Sequence, residues 1–186
     1  MAFTVVYDAC VLYPAPLRDL LIRIANTGLV RARWTDRILD ECFGAILAQR
    51  PDLKREALAR TRELMTQAVP DCLVRGYEPL IEGIELPDPD DRHVVAAAVR
   101  CGAQVIVTFN LDDFPSERLG RYNLEAQHPD DFVLDSIDLS PGMVVRVIED
   151  QLAALRNPPI ELARLLDALR RLGLVQSVAR LRELLY

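Results

Sequence analysis

Between Leu86 and Phe114 the chain reads LPDPDDRHVVAAAVRCGAQVIVTFNLDDF, a helix and a short strand with acidic residues at both outer ends. Val and Ala dominate His93 to Arg100, and Gly102 stands where a helix closes on a C-terminal glycine. Val105, Ile106 and Val107 then form an apolar run of strand character. Thr108, Asn110, Asp112 and Asp113 follow directly. Parallel α/β sheets bind ligands beyond the carboxyl ends of their strands, so acids flanking this unit mark a candidate site.

The rest of the chain repeats the alternation. Phe3 to Tyr7 is an apolar strand ending at Asp8. Pro14 and Pro16 start a helix that Thr27-Gly28 stops. Val30 to Trp34 reads as a second strand, and Thr35 as the N-cap of a helix bearing Ile38, Leu39, Cys42, Ile46 and Leu47. Leu53 to Ala68 is amphipathic, Cys72 to Val74 is a candidate third strand, and Leu124 to Gln127 an edge strand. Asp130 to Leu134 reads as a single helical turn. Strands alternating with helices predict a parallel sheet with helices on both faces. Composition shifts near Ser140-Pro141, and the pattern beyond predicts three helices, roughly 142–155, 160–171 and 174–184. The expected division is therefore 1–139 and 140–186, the second part a helical C-terminal module.

Composition excludes several classes. No apolar run approaches the roughly 20 residues needed to span a bilayer. The first residues enter a strand without a basic region or cleavage site, which argues against export. Four cysteines without a CxxC pair read as reduced core residues of a cytoplasmic protein. The net charge of −6 would repel nucleic acid as a whole. Any nucleic-acid contact must then come from a local basic rim. Arg18, Arg23, Arg31, Arg33, Arg37 and Arg92 flank the motifs and are candidates for it, with Trp34 and Tyr13 as candidate stacking residues.

Four carboxylates share one context. Asp8 ends the first strand, Glu41 lies on the helix after the second, Asp91 opens the helix before Val105, and Asp113 follows that strand. Were the first strand and Val105–Val107 neighbours, Asp8 and Asp113 would meet at their ends. Glu41 lies among apolar residues, where a charge needs a partner. Asp88 and Asp90 read instead as complements to a helix dipole. Converging carboxylates with no lysine nearby tolerate one another mainly around divalent cations, and all-oxygen donors suit magnesium or manganese. Such a centre fits hydrolysis of a phosphodiester.

VVYDACVLYP, WTDRILDECF, PDPDDRHVVAAAV and VIVTFNLDDFP, in this order, resemble the PIN-domain ribonucleases found as VapC-type toxins of toxin–antitoxin pairs. The resemblance covers about residues 1 to 135, and its subtype commonly carries extra C-terminal helices. It implies a five-stranded parallel sheet in a three-layer α/β/α sandwich and a magnesium- or manganese-dependent endoribonuclease. Its acidic quartet maps onto Asp8, Glu41, Asp91 and Asp113, with Thr108 and Asn110 in support. It also implies a tRNA or ribosomal RNA substrate, an antitoxin partner and a homodimer. In one place the chain departs from the pattern. The family's first motif commonly continues Asp-Thr-Asn or Asp-Ser-Asn, whereas Ala9 and Cys10 follow Asp8, so a supporting hydroxyl and amide are missing.

Rival classes fare less well. A phosphoacceptor receiver domain needs a lysine after its last strand, and the one lysine, Lys54, precedes it. A haloacid-dehalogenase phosphatase needs two aspartates spaced by one at the first strand. The remaining alternative keeps the fold but drops catalysis, as a PIN-like binding or assembly module.

Overall fold

A computed structural model describes residues 3–186. The strands are β1 (Phe3–Tyr7), β2 (Val30–Arg33), β3 (Val105–Val107) and β4 (Glu125–Gln127), in one sheet ordered β2-β1-β3-β4 with every pair parallel. Parallel neighbours require crossovers, and helices supply them. After β1 come α1 (Ala9–Leu12) and α2 (Ala15–Asn26). After β2 come α3 (Asp36–Gln49) and α4 (Arg55–Ala68). α5 (Arg92–Cys101) precedes β3, α6 (Ser116–Leu119) follows it, and α7 (Pro129–Leu139) follows β4.

Local chemistry sets these boundaries. Thr35 caps α3 by accepting the Ile38 N–H at 3.0 Å. Gly102 closes α5 at φ +64°, a conformation costly for a residue with a Cβ. α5 packs on β1 and β3, whereas Tyr7 turns to the opposite layer. There its hydroxyl donates to Leu21 O of α2 at 3.2 Å, and its ring meets Phe132 of α7 edge-on at 5.8 Å and stacks on Trp34 at 6.3 Å. Tyr7 and Trp34 are fully buried, each contributing roughly 2–3 kcal/mol by burial. Trp34 is thus core and not available to stack on a base.

Two expectations need correction. The sheet has four strands, not five. Cys72–Val74 lies at the fifth position, beside β2, but forms only a bridge: Trp34 N–H donates to Cys72 O and Val74 N–H to Trp34 O, both at 2.8 Å. Asp71 (φ 55°) and Gly76 (φ 71°) turn the chain on either side, which leaves no length to pair. The second correction concerns Asp130 to Leu134, which is not a single turn but part of the 11-residue α7. Its buried residues Phe132, Val133, Ser136 and Ile137 follow helical spacing. Asp131, Asp135 and Asp138 on the other face dilute the apolar signal.

The C-terminal part carries three helices: α8 (Pro141–Ala154), α9 (Leu162–Arg171) and α10 (Val175–Leu185). It is joined to the sheet domain through polar contacts as well as apolar ones. Gln151 Nε2 on α8 donates to Pro16 O at 2.9 Å. The Asp130 carboxylate accepts the N–H groups of Gln176 (2.9 Å) and Ser177 (2.8 Å) at the start of α10. Among the described residues the four cysteines are free, and no helix is long and apolar enough to cross a membrane.

Candidate active site

From β1 the chain proceeds outward to β2 and then returns to β3 on the other side, so the sheet's switch point lies between β1 and β3. Asp8 and Thr108 stand at the carboxyl ends of these two strands. The ladder continues into them: Asp8 N–H donates to Val107 O at 3.1 Å, and Thr108 N–H to Gln127 O at 3.0 Å. Position in the sheet therefore fixes both residues before their side chains make any contact.

Asp8 is buried and each of its oxygens is held. Oδ1 accepts the Ala9 N–H at 2.7 Å, which caps α1. Oδ2 accepts the Thr108 hydroxyl at 2.8 Å and the Cys10 thiol at 3.2 Å. Thr108, itself fully buried, accepts the Asn110 N–H at 3.0 Å, which shapes the loop toward Asp113. Cys10 Sγ also accepts the Phe109 N–H at 3.3 Å. Burial, then the charge of Asp8, pushes this thiol up to about 12, so it stays protonated and donates. The missing hydroxyl and amide after Asp8 thus have a substitute. Cys10 joins the Asp8 corner to the loop after β3, a role its apolar context in the sequence does not announce.

Asp91 ends a 3-10 turn (Pro89–Asp91) at the N-terminus of α5, and the helix runs from there away from the switch point to the start of β3. Its carboxyl is pushed up to about 6 by burial, then by the negative charges of Asp8, Asp88 and Asp113, with His93 opposing. Asp113, half-buried in a 3-10 turn (Leu111–Asp113), therefore lies in the same field as Asp8 and Asp91. The structure brings these three acids together. Asp88 joins them electrostatically and accepts the Asp90 N–H at 2.8 Å; Asp112 and Asn110 face solvent.

Glu41 sits one step aside, exposed by 40%. Arg37 Nε donates to it at 3.2 Å, and its Oε1 is 3.0 Å from His93 Nε2, off the line of a well-formed hydrogen bond. Burial would raise its pKa, but His93 and Arg37 outweigh burial and hold it below the usual carboxylate range. Arg37 Nη2 also reaches Asp90 O at 3.4 Å, so the pair ties α3 to the turn before α5. His93 is only 1% exposed and stands between Glu41 and Asp91. The sequence gives it no role, although a histidine on a helix of Val and Ala was the signal for a buried polar group with a task. Glu41 also borders a cavity of about 350 Å³ with Ala9, Cys10 and Tyr13. A larger cleft of about 520 Å³ lies elsewhere, between α2, α4 and the C-terminal helices.

The donor set, carboxylate oxygens in mutual repulsion, suits a hard divalent cation. Among the described residues, however, no three His, Cys, Asp or Glu side chains stand in a ready geometry for one. The basic candidates are mostly committed elsewhere. Arg18 donates to Leu12 O (2.8 Å) and Tyr13 O (3.1 Å), and Arg37 is paired with Glu41. Arg33 influences Cys72 and Cys101, at the end of α5 remote from Asp91. Arg92 is half-buried, with its Nε shielded from solvent.

Comparison with known proteins identifies the family. Residues 4–112 match the model of a PIN domain, and residues 129–183 that of the VapC50 C-terminal domain. A protein of Mycobacterium tuberculosis (strain ATCC 25618 / H37Rv) named "Putative ribonuclease VapC50" is 47% identical over 94 residues, which are 50% of this chain and 55% of that relative. The chain thus spans about half the length of the curated relative it matches. No solved structure matches. With a PIN-domain match over more than half its length and a VapC50-type extension after it, the chain belongs to the PIN-domain family, in its VapC-like form with a C-terminal helical module.

Proposed function

We propose that the protein is a divalent-metal-dependent endoribonuclease and the toxin of a toxin–antitoxin pair, acting on RNA in the cytoplasm. One observation carries this reading: Asp8, Asp91 and Asp113, from three distant segments, share one electrostatic field at the switch point, where burial first and then the charges of Asp8, Asp88 and Asp113 push Asp91 up to about 6. Perturbed carboxylates gathered at a strand end cluster at functional sites. Asp8, Asp91 and Asp113, with Glu41 beside them, would hold Mg²⁺ or Mn²⁺. When bound, the ion supplies Lewis acidity and a water of lowered pKa at the phosphodiester.

The chain's own residues have definite tasks. Thr108 and Cys10 fix the orientation of Asp8, and Asn110 is held toward solvent through its N–H on Thr108. Arg37 and His93 hold Glu41 beside the turn that carries Asp91. Asp91 must release its proton to take part, so at limiting Mn²⁺, cation binding should weaken as pH falls through about 6. The named relative and the VapC50-type match support an antitoxin as protein partner; a homodimer and a tRNA or ribosomal RNA substrate are what the family resemblance alone implies. The rival reading, a binding module without catalysis, is favoured by the pairing of Glu41 with Arg37. Incubation of structured and unstructured RNA with Mn²⁺ separates the two. Cleavage by the wild type, lost in Asp8→Asn and Asp91→Asn, is expected; equal background from all three proteins would leave the binding module.

A further inference from the structure

The sheet domain is poorly equipped to hold RNA. Residues 1–139 carry 15 Arg and Lys against 23 Asp and Glu, a net charge of −8. Residues 140–186 carry 7 against 5, a net charge of +2. Net positive charge is therefore confined to this C-terminal part, where α9 carries three of the arginines. Leu165, Leu166 and Leu169 bury one face of α9. Arg164 and Arg171, seven residues apart and so two turns along the same stripe, stand on the exposed side with Arg170 nearby. Arg182 of α10 joins them by donating to Asp167 at 2.8 Å.

Asp167 is the one acid between Arg164 and Arg171, already engaged by Arg182 and approached by Arg170 at 3.9 Å. Arg164 and Arg171 have no carboxylate within ion-pair distance among the described residues. A helix dipole would account for Arg170 and Arg171 in the last turn, but not for Arg164 in the first. The stripe also ends at the right place. Gly173, two residues past Arg171, lies against the site loop: a Cβ there would be 3.6 Å from His128 Cε1 and 3.9 Å from Phe109 Cε1. Phe109 follows Thr108, packs edge-on to His128 at 5.3 Å, and donates its N–H to Cys10.

We propose that Arg164, Arg170 and Arg171, with Arg182 beside them, form the phosphate-binding surface that holds an RNA strand running to or from the carboxylate site. The proposal rests on the RNA-cleaving reading above. Its test uses the full chain carrying Asp8→Asn, so that RNA is bound and not cut, and a fluorescein-labelled single-stranded 20-mer followed by anisotropy at several salt concentrations. Adding Arg164→Gln, Arg170→Gln and Arg171→Gln should weaken binding at least ~10-fold at low salt. It should also lower the slope of log K against log salt by about 2, since each phosphate contact on a single strand contributes roughly 0.7. A control removing equal charge from the sheet domain (Lys54→Gln, Arg55→Gln, Arg75→Gln) should change binding less than ~3-fold, and thermal melting should show all variants folded. Equal affinity and slope in the triple variant and its parent would overturn the proposal while leaving the RNA reading intact. A parent that binds no RNA would overturn both. If the triple variant kept RNA affinity but lost binding to a polyglutamate peptide, the stripe would belong to an acidic protein segment, and the proposal would again fail.

Discussion

Two aspartates in this molecule are equally buried, Asp8 and Asp130, each 5% exposed, and they lie in opposite electrostatic settings. At the joint between α7 and α10, the oxygens of Asp130 meet the N–H groups of Gln176 and Ser177. Although burial opposes it, these donors hold Asp130 below the usual carboxylate range. At the switch point Asp8 has donors as well, but its charge falls on Asp91 and helps push that carboxyl up to about 6. One acid serves stability; the other belongs to a group that costs stability. The difference separates structural from functional carboxylates more sharply than burial alone does.

The contrast can be broken in several ways. Asp8→Asn should reduce RNA cleavage at least ~1000-fold, about 4 kcal/mol of barrier, with the fold retained by circular dichroism. Cleavage within a few-fold of wild type would place the chemistry elsewhere. Asp130→Ala should leave two N–H groups at a helix start without partners, a loss of about 2–4 kcal/mol, seen as a melting temperature lower by roughly 6–10 °C. An unchanged melting temperature would remove the joint from the comparison.

Asp91→Asn should do the reverse. The folded-state pKa is raised from the ordinary 3.8 to about 6, so the folded chain holds its proton more tightly than the unfolded chain between those values. Stability from this group is fully present below about 4 and lost as pH rises through about 6. With screening of a half-exposed side chain, the variant should gain about 1 kcal/mol at pH 8, about 2–4 °C in melting temperature. The gain should shrink toward pH 4. Finer still is Cys10. Cys10→Ser keeps a donor and should hold Mn²⁺ affinity within ~3-fold, whereas Cys10→Val should lose ~10–100-fold, as supporting residues of metal sites do. Identical titrations for both variants would reduce Cys10 to packing.

Much of this was legible beforehand. The strand-ending Asp8, the Gly102 stop and the Thr35 cap follow from patterns within a few residues, and the three C-terminal helices from period alone. The failures are long-range or two-sided. Whether Cys72–Val74 pairs over one residue or several depends on turns at Asp71 and Gly76 that residue type does not dictate. The length of α7 is masked by its acidic outer face. Cys10 and His93 acquire tasks only through partners far away in the chain, Phe109 and Thr108 for one and Glu41 for the other.

The most direct test of the acidic group at the switch point is a calorimetric titration of Mn²⁺ into the wild type, Asp8→Asn and Asp113→Asn at pH 7.5. Binding by the wild type, weakened at least ~10-fold in each variant, is the expected result. Equal binding by all three, or none by the wild type, would contradict a shared cation site between β1 and β3.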